Sequence, residues 1–329
     1  MRAVVYTDGG QVLLEERPDP VAGPGEALLR PLAVGICGTD LHPEVFAFDS
    51  GVIMGHEFCA AVVGIGPGTT GVSVGDRVVV NPNGITCGTC RACRTGHKNL
   101  CASSATQSVG IHRDGGLADF VALPERAVHR IPPSLGAEAA AWAEPLAATL
   151  HAVTASGPVL GLRTLVMGGG PMGLLGLQLL RNSGAAFVGL VEPVAFRRGV
   201  AERMGADATY DSMAAAGDTA APDLVLECSG SPAALSSAVH LVAAGGSITA
   251  IGIGPAGPGI LPLELVGKEV TVRGSALYVD EFPAAIEMLA DGRVVVDALT
   301  TGIEPLERYA QAFEAMRRPE GAVKFVLRP

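Results

Sequence analysis

Thr164-Leu165-Val166-Met167-Gly168-Gly169-Gly170-Pro171-Met172-Gly173 is the stretch on which the fold turns. Four strand-forming residues run into a glycine cluster, and an apolar helical pattern, Met172–Ser183, follows. In a chain with 44 glycines a G-x-G-x-x-G spacing arises by chance. Between a strand and a helix it has a physical meaning. Gly168 permits the tight turn, Gly170 lets backbone approach a pyrophosphate, and Gly173 allows close helix–strand packing. Pro171 and Met172 lie where the helix N-terminus faces the phosphates of a dinucleotide.

Downstream the same rhythm repeats. Phe187–Val191 leads into a helix over Ala195–Met204, Leu224–Leu226 into a helix over Pro232–Val242, and Ser247–Ile251 reads as a further strand. This alternation predicts a parallel sheet covered on both faces. Glu192 ends the second strand, 19 residues after Gly173, where a carboxylate can hold both ribose hydroxyls. It would repel a 2′-phosphate, which favours NAD. Arg197 and Arg198 keep NADP open, since an arginine near the adenine ribose accepts that phosphate, although at least one of them reads as a solvated helix face. After Lys268 come a strand at Val270–Gly274, helices at Phe282–Ala290 and Pro305–Met316, and a last strand at Val323–Leu327. The tail is expected to return to the first domain, because alone it has nothing to pack on.

Upstream the texture differs. Ala27–Val34, Ala60–Gly64 and Asp76–Val80 are β-rich runs between Gly/Pro turns, with no long amphipathic helix before about residue 136. An antiparallel, barrel-like β domain is the expectation. The change near Pro145 divides the chain into residues 1–150 with 276–329, and residues 151–275. The alanine-rich stretch Ala214–Ala221 is expected to be a flexible surface turn.

Composition agrees with two folded domains. There are 329 residues, 48% hydrophobic and 17% charged, against roughly 150 residues per domain. The net charge of −10 argues against nucleic acid and anionic membranes as partners. The apolar run Thr164–Leu180 is broken by glycines and a proline, so it reads as a buried strand and helix rather than a membrane span. Met1–Tyr6 runs directly into Thr7-Asp8-Gly9-Gly10, a strand and turn rather than a secretory signal. A cytoplasmic protein is expected.

Four of the seven cysteines fall close together. Cys87, Cys90, Cys93 and Cys101 form C-x2-C-x2-C-x7-C within a lobe at residues 85–102. Two-residue spacings let thiolates converge on one ion at about 2.3 Å, and four of them leave no place for water. This is the pattern of a structural zinc. In a reducing compartment it outweighs disulfides, and the spacing of an iron–sulfur site is missing.

A second constellation is dispersed: Cys37-Gly38-Thr39-Asp40-Leu41-His42, Gly55-His56-Glu57 and Ala143-Glu144-Pro145-Leu146. Each alone is weak. Together they supply a thiolate, an imidazole and two carboxylates, the mixed shell of a catalytic zinc with an open position. Zinc makes a bound alcohol acidic, and its proton needs a way out. Thr39 can accept it through its hydroxyl, and His42 can pass it to solvent.

With these motifs in this order, the chain resembles the zinc-containing medium-chain dehydrogenase/reductases, within them the polyol (sorbitol-like) and threonine dehydrogenase branch. The resemblance runs from Met1 to about Pro329. It implies a GroES-like β-barrel catalytic domain with a Rossmann doubly wound parallel-sheet cofactor domain. It also implies that Cys37 and His56 bind the catalytic zinc, while Glu57 and Glu144 complete the shell, one as a ligand and the other as an exchanging ligand or holder of water. Alcohol dehydrogenases with a second ligand cysteine carry it where Glu144 stands, hence the polyol-like branch. Cys228-Ser229-Gly230 and Gly252-Ile253-Gly254 would face the cofactor, although Cys228 equally fits core packing. The implied activity is hydride transfer between a secondary alcohol or its ketone and NAD(P), in a homodimer or homotetramer. Two other readings are a same-fold reductase or non-redox enzyme, and a non-catalytic binding protein. Only 18 residues separate Cys37 from His56, fewer than the branch leads one to expect, and a shortened substrate wall would admit a bulkier or cyclic substrate.

Overall fold

The glycine-cluster strand, Arg163–Met167, sits inside a six-stranded parallel sheet whose order is Ala208–Tyr210, Phe187–Val191, Arg163–Met167, Leu224–Glu227, Ser247–Ala250 and Thr271–Gly274. The structure, a computed structural model, describes residues 1–254, 257, 259–318 and 320–329. Along the chain this sheet runs 3-2-1-4-5-6, the doubly wound order whose switch point lies between Arg163–Met167 and Leu224–Glu227. Leu165, Val166, Leu190, Leu224, Val225 and Leu226 are buried. Strands without an alternating polar face are what a sheet covered on both sides requires. Helices at Pro171–Asn182, Ala195–Arg203 and Pro232–Leu241 pack on it.

The chain divides into two units, Met1–Glu144 with Val279–Arg318 and Lys324–Pro329, and Pro145–Tyr278 with Pro319–Val323. The dividing point falls at the start of a helix, Ala143–Ala155, that the sequence did not reveal.

In the first unit a seven-stranded sheet runs Thr300–Pro305, Lys324–Arg328, Glu26–Gly35, Glu57–Ile65, Arg77–Val80 and Val128–Arg130, with Val121–Pro124 also pairing with Glu26–Gly35. All pairs are antiparallel except Thr300–Pro305 with Lys324–Arg328. The tail does join this sheet: Val326 stands opposite Gly35 and Leu327 opposite Val34. Leu29, Val34, Ile36, Met54, Phe58 and Leu123 belong to its core.

Two expectations need correction. The helix expected over Pro305–Met316 forms as a 3-10 turn at Leu306–Arg308 that continues into an α-helix at Tyr309–Arg317, but a strand the sequence did not suggest, Thr300–Pro305, precedes it. The strand alternates half-buried and exposed residues and carries Gly302 and Pro305, so its apolar signal is weak. Residues Met213–Gly217, expected in a flexible turn, form a short helix whose N-cap, Ser212, accepts a hydrogen bond from the Ala215 amide. Its alanines favour helix over turn once a cap is present.

Candidate active site and metal centres

In the nucleotide unit, Gly170 caps the helix Pro171–Asn182, with Pro171 in its first turn. Gly168 has a φ of +100°, a left-handed backbone that glycine adopts without strain. A Cβ on Gly173 would collide with the Gly168 carbonyl, whereas one on Gly170 would meet nothing within 4 Å. The third glycine therefore closes the turn and the second leaves its outer face open to a ligand. Glu192 is buried, and its carboxylate accepts the amides of Gly169 at 2.7 Å and Val194 at 2.9 Å. It thus ties the glycine turn to the end of the neighbouring strand. A cavity of about 330 Å³ lies beside it, lined by Gly168, Glu192, Met213, Ser229 and Ser231 among others. The two arginines separate. Arg197 donates to the Ala322 carbonyl at 2.9 Å, while Arg198 donates to the carbonyls of Glu192 and Pro193 at 2.7 Å each. Arg198, not Arg197, is thus the arginine beside Glu192.

Cys87, Cys90, Cys93 and Cys101 bring four sulfurs within 4.8 Å of one another, and all are free thiols. Amides turn inward around them: Cys90 N–H points at Cys87 Sγ (3.3 Å), Cys93 N–H at Cys90 Sγ (3.5 Å) and Cys87 N–H at Cys101 Sγ (3.4 Å). The amides of Thr89 and Cys90 pull the Cys87 thiol down to about 5. Burial and the neighbouring sulfurs push Cys93 up to about 11. Amides aimed at sulfur and thiolates in mutual conflict are what one tetrahedral cation would reconcile.

The dispersed constellation also assembles in part. Cys37 Sγ, a His56 ring nitrogen and a Glu57 carboxylate oxygen lie within 4.8 Å of one another, in a pocket where His56 and Glu57 are buried. Cys37 ends the run after Glu26–Gly35, and His56 immediately precedes Glu57–Ile65, so two antiparallel neighbours deliver these donors side by side. Glu144, in the first turn of Ala143–Ala155, is buried but outside that close group of donor atoms.

Sequence reasoning passed over two residues here. Asp40 is wholly buried. Its Oδ2 accepts the Cys37 amide at 2.9 Å, and its Oδ1 lies 3.5 Å from His56 Nδ1. A carboxylate behind a histidine fixes the tautomer and leaves the other ring nitrogen, Nε2, free to bind metal. Burial disfavours charge on His56, yet Asp40 and Cys37 outweigh it and hold its pKa well above the usual histidine value. Asp40 Oδ1 and His56 Nδ1 face each other at 3.5 Å, and neither has a hydrogen-bond partner elsewhere. A thiolate, an imidazole and carboxylates so placed fit a divalent cation. The second residue is Lys324, 1% exposed, whose ammonium forms an ion pair with Glu57 Oε2. Burial opposes its charge, but Glu57, Cys37 and Glu144 keep its pKa raised. The signal available was a single lysine inside the apolar run Ala322-Val323-Lys324-Phe325-Val326.

Thr39 Oγ1 lies 3.4 Å from His56 Nε2, beside the Cys37–His56–Glu57 donor group. His42 closes the same short turn through its amide, bonded to the Thr39 carbonyl at 3.1 Å, and its side chain is 60% exposed. The Thr39–Leu41 turn thus carries one hydroxyl inward and one imidazole to solvent.

Comparison with known proteins gives a consistent result. Residues 23–133 match the alcohol dehydrogenase GroES-like domain, and residues 171–291 match the zinc-binding dehydrogenase family. The chain is 33% identical to a sorbitol dehydrogenase of Gallus gallus, covering 99% of this chain and 96% of that protein. It is also 33% identical to an L-threonine 3-dehydrogenase of Pyrococcus horikoshii, covering 100% and 99%. Among solved structures, a zinc-binding dehydrogenase from Sinorhizobium meliloti 1021 bound to NADP superposes with a TM-score of 0.92 at 33% identity, covering 100% and 99%. Among the described residues no helix is long and apolar enough to cross a membrane. With its β unit, its doubly wound unit and its two clusters of candidate metal donors, the chain belongs to the zinc-dependent medium-chain dehydrogenase/reductases, on the branch of the sorbitol and threonine dehydrogenases, and is an alcohol dehydrogenase that uses zinc and a nicotinamide cofactor.

Proposed function

We propose that this enzyme oxidises a secondary alcohol within a polyol, a sugar-like molecule or an amino alcohol, and reduces the corresponding ketone. The observation that carries this reading is the buried group of Cys37, His56 and Glu57 donors, with Asp40 behind the histidine and the Thr39–His42 turn beside it. Cys37, His56 and Glu57 would hold the catalytic zinc, and Glu144 would face its fourth position. Cys87, Cys90, Cys93 and Cys101 would hold a structural zinc. When bound, the catalytic ion supplies Lewis acidity that eases loss of the alcohol proton.

The residues then divide the remaining work. Thr39 Oγ1 takes the proton inside the pocket, and the exposed His42 imidazole passes it to water. Asp40 keeps His56 in the tautomer that leaves Nε2 as donor. Gly168, Gly170, Pro171, Met172 and Gly173 present the turn and helix end to the cofactor pyrophosphate. Glu192 faces the adenine ribose and favours NAD. Arg198, close to its backbone, is the residue through which NADP would be tolerated. The short connection between Cys37 and His56 supports a bulky, sugar-like substrate.

A homodimer or homotetramer would form through the Thr271–Gly274 edge, whose four residues are exposed, as are Leu263 and Val266 in the preceding helix Pro262–Lys268. The seven free cysteines suit a reducing cytoplasm.

Elemental analysis of wild type and Cys37→Ala tests the metal assignment, followed by a panel of polyols, sugars and amino alcohols with NAD and NADP. Two zinc ions falling to one in a folded variant, with turnover on that panel, supports the reading. One ion in both proteins removes Cys37 from the site. Two ions without turnover on any alcohol favours a same-fold non-redox enzyme or a binding protein.

A further inference from the structure

Lys324 has no place in the proton path or the donor set, yet it is 1% exposed in a unit where most lysines and arginines reach water. Desolvating an ammonium is costly unless it is fully paired. Here every direction is filled. Glu57 Oε2 forms the ion pair, the Ile36 carbonyl accepts at 3.2 Å, and the Trp142 ring lies 5.1 Å from Nζ. The backbone is shaped for this contact. A Cβ on Gly35 would sit 2.6 Å from Glu57 Oε2 and 2.7 Å from Lys324 Cε, so only glycine opposite Val326 leaves room for the pair. The strands Glu26–Gly35, Glu57–Ile65 and Lys324–Arg328 thus converge on one carboxylate.

We infer that Lys324 is a positioning residue that holds one oxygen of Glu57 and so limits how strongly Glu57 can donate to the catalytic metal. This rests on the reading that Cys37, His56 and Glu57 form that centre. Two effects act in the same direction. With Oε2 occupied by the ammonium, Glu57 can offer the metal only its other oxygen. A buried positive charge beside a cation site also repels the cation at short range and low dielectric. Lys324 therefore keeps the centre more electrophilic and its ion less tightly held than the donor set alone would make it. A purely structural lysine has the opposite signature, since its loss would loosen the fold and release metal faster.

The test uses the purified full chain with both metals in place. The release of the catalytic zinc to a chelator would be timed in wild type, Lys324→Met, Lys324→Gln and Lys324→Arg. The absorption spectrum would be recorded with cobalt(II) substituted at that centre. The expected result is at least fivefold slower release in the Met and Gln variants, with a changed cobalt spectrum, and return of both readouts toward wild type in Lys324→Arg. Release as fast as wild type or faster, or an unchanged spectrum in the neutral variants, overturns the inference. If Lys324→Met does not fold, the Gln variant keeps a donor for Ile36 and decides alone. A wild type that carries only the four-cysteine ion would instead show that the underlying metal assignment is wrong.

Discussion

The two candidate metal centres are built on opposite plans. The four-cysteine lobe is local: its donors span Cys87 to Cys101, the short helix Arg91–Arg94 has no buried residue, and amides from the same loop point at its sulfurs. The Cys37–His56–Glu57 group is assembled from neighbouring strands, with His56 and Glu57 buried, and is backed by Asp40 from the turn after Cys37 and by Lys324 and Trp142 from two further places in the chain. A closed loop can hold an ion with four thiolates and needs little else. A centre that must stay open at one position cannot satisfy its ion with donors alone, so surrounding groups set the charge and orientation of each donor.

The comparison breaks first at Cys37. Cys37→Ala should cost on the order of 10³-fold or more in kcat/KM, since the Lewis acid is worth several kcal/mol to the transition state. It should leave the lobe zinc and the melting temperature nearly unchanged, as metal analysis and calorimetry would check. Equal loss of both ions would mean that the two centres are not independent. Asp40→Asn should weaken retention of the catalytic zinc or activity by about 10–100-fold, the usual cost of removing such a partner, measured by chelator competition. An effect confined to stability would return Asp40 to a plain folding role.

His42→Ala should be milder, about tenfold in turnover near neutral pH, because the side chain is already at the surface and buffer can replace it. Recovery of rate with added imidazole is the diagnostic readout, and its absence would take His42 out of the proton path. The smallest effect on turnover is expected for Cys90→Ser. This should release the lobe zinc and lower the melting temperature by roughly 5 °C or more, with kcat nearly wild type well below the transition. A collapse of kcat in a folded Cys90→Ser protein would show that the lobe participates in catalysis.

Some of this was legible in the residues alone. The four cysteines declare a site because local spacing is itself geometry: donors three residues apart stay close in any turn. Gly168 to Gly173 declare a phosphate turn for the same reason, and the repeating strand–helix pattern gave the doubly wound unit because period-2 and period-3.6 patterns are local properties. Cys37, His56, Glu57 and Glu144 could be nominated by type and by family resemblance. What only the tertiary structure decided is which of them meet. It drew Glu57 into the donor group and left Glu144 outside it, assigned Arg198 rather than Arg197 to the side of Glu192, and brought Lys324 next to Glu57 across 267 positions of sequence, the difference between their numbers. The physical reason is the register of a non-local sheet. Val326 opposite Gly35, and Gly35 opposite Glu57, follow from how whole strands pack, and no short stretch of sequence contains that information.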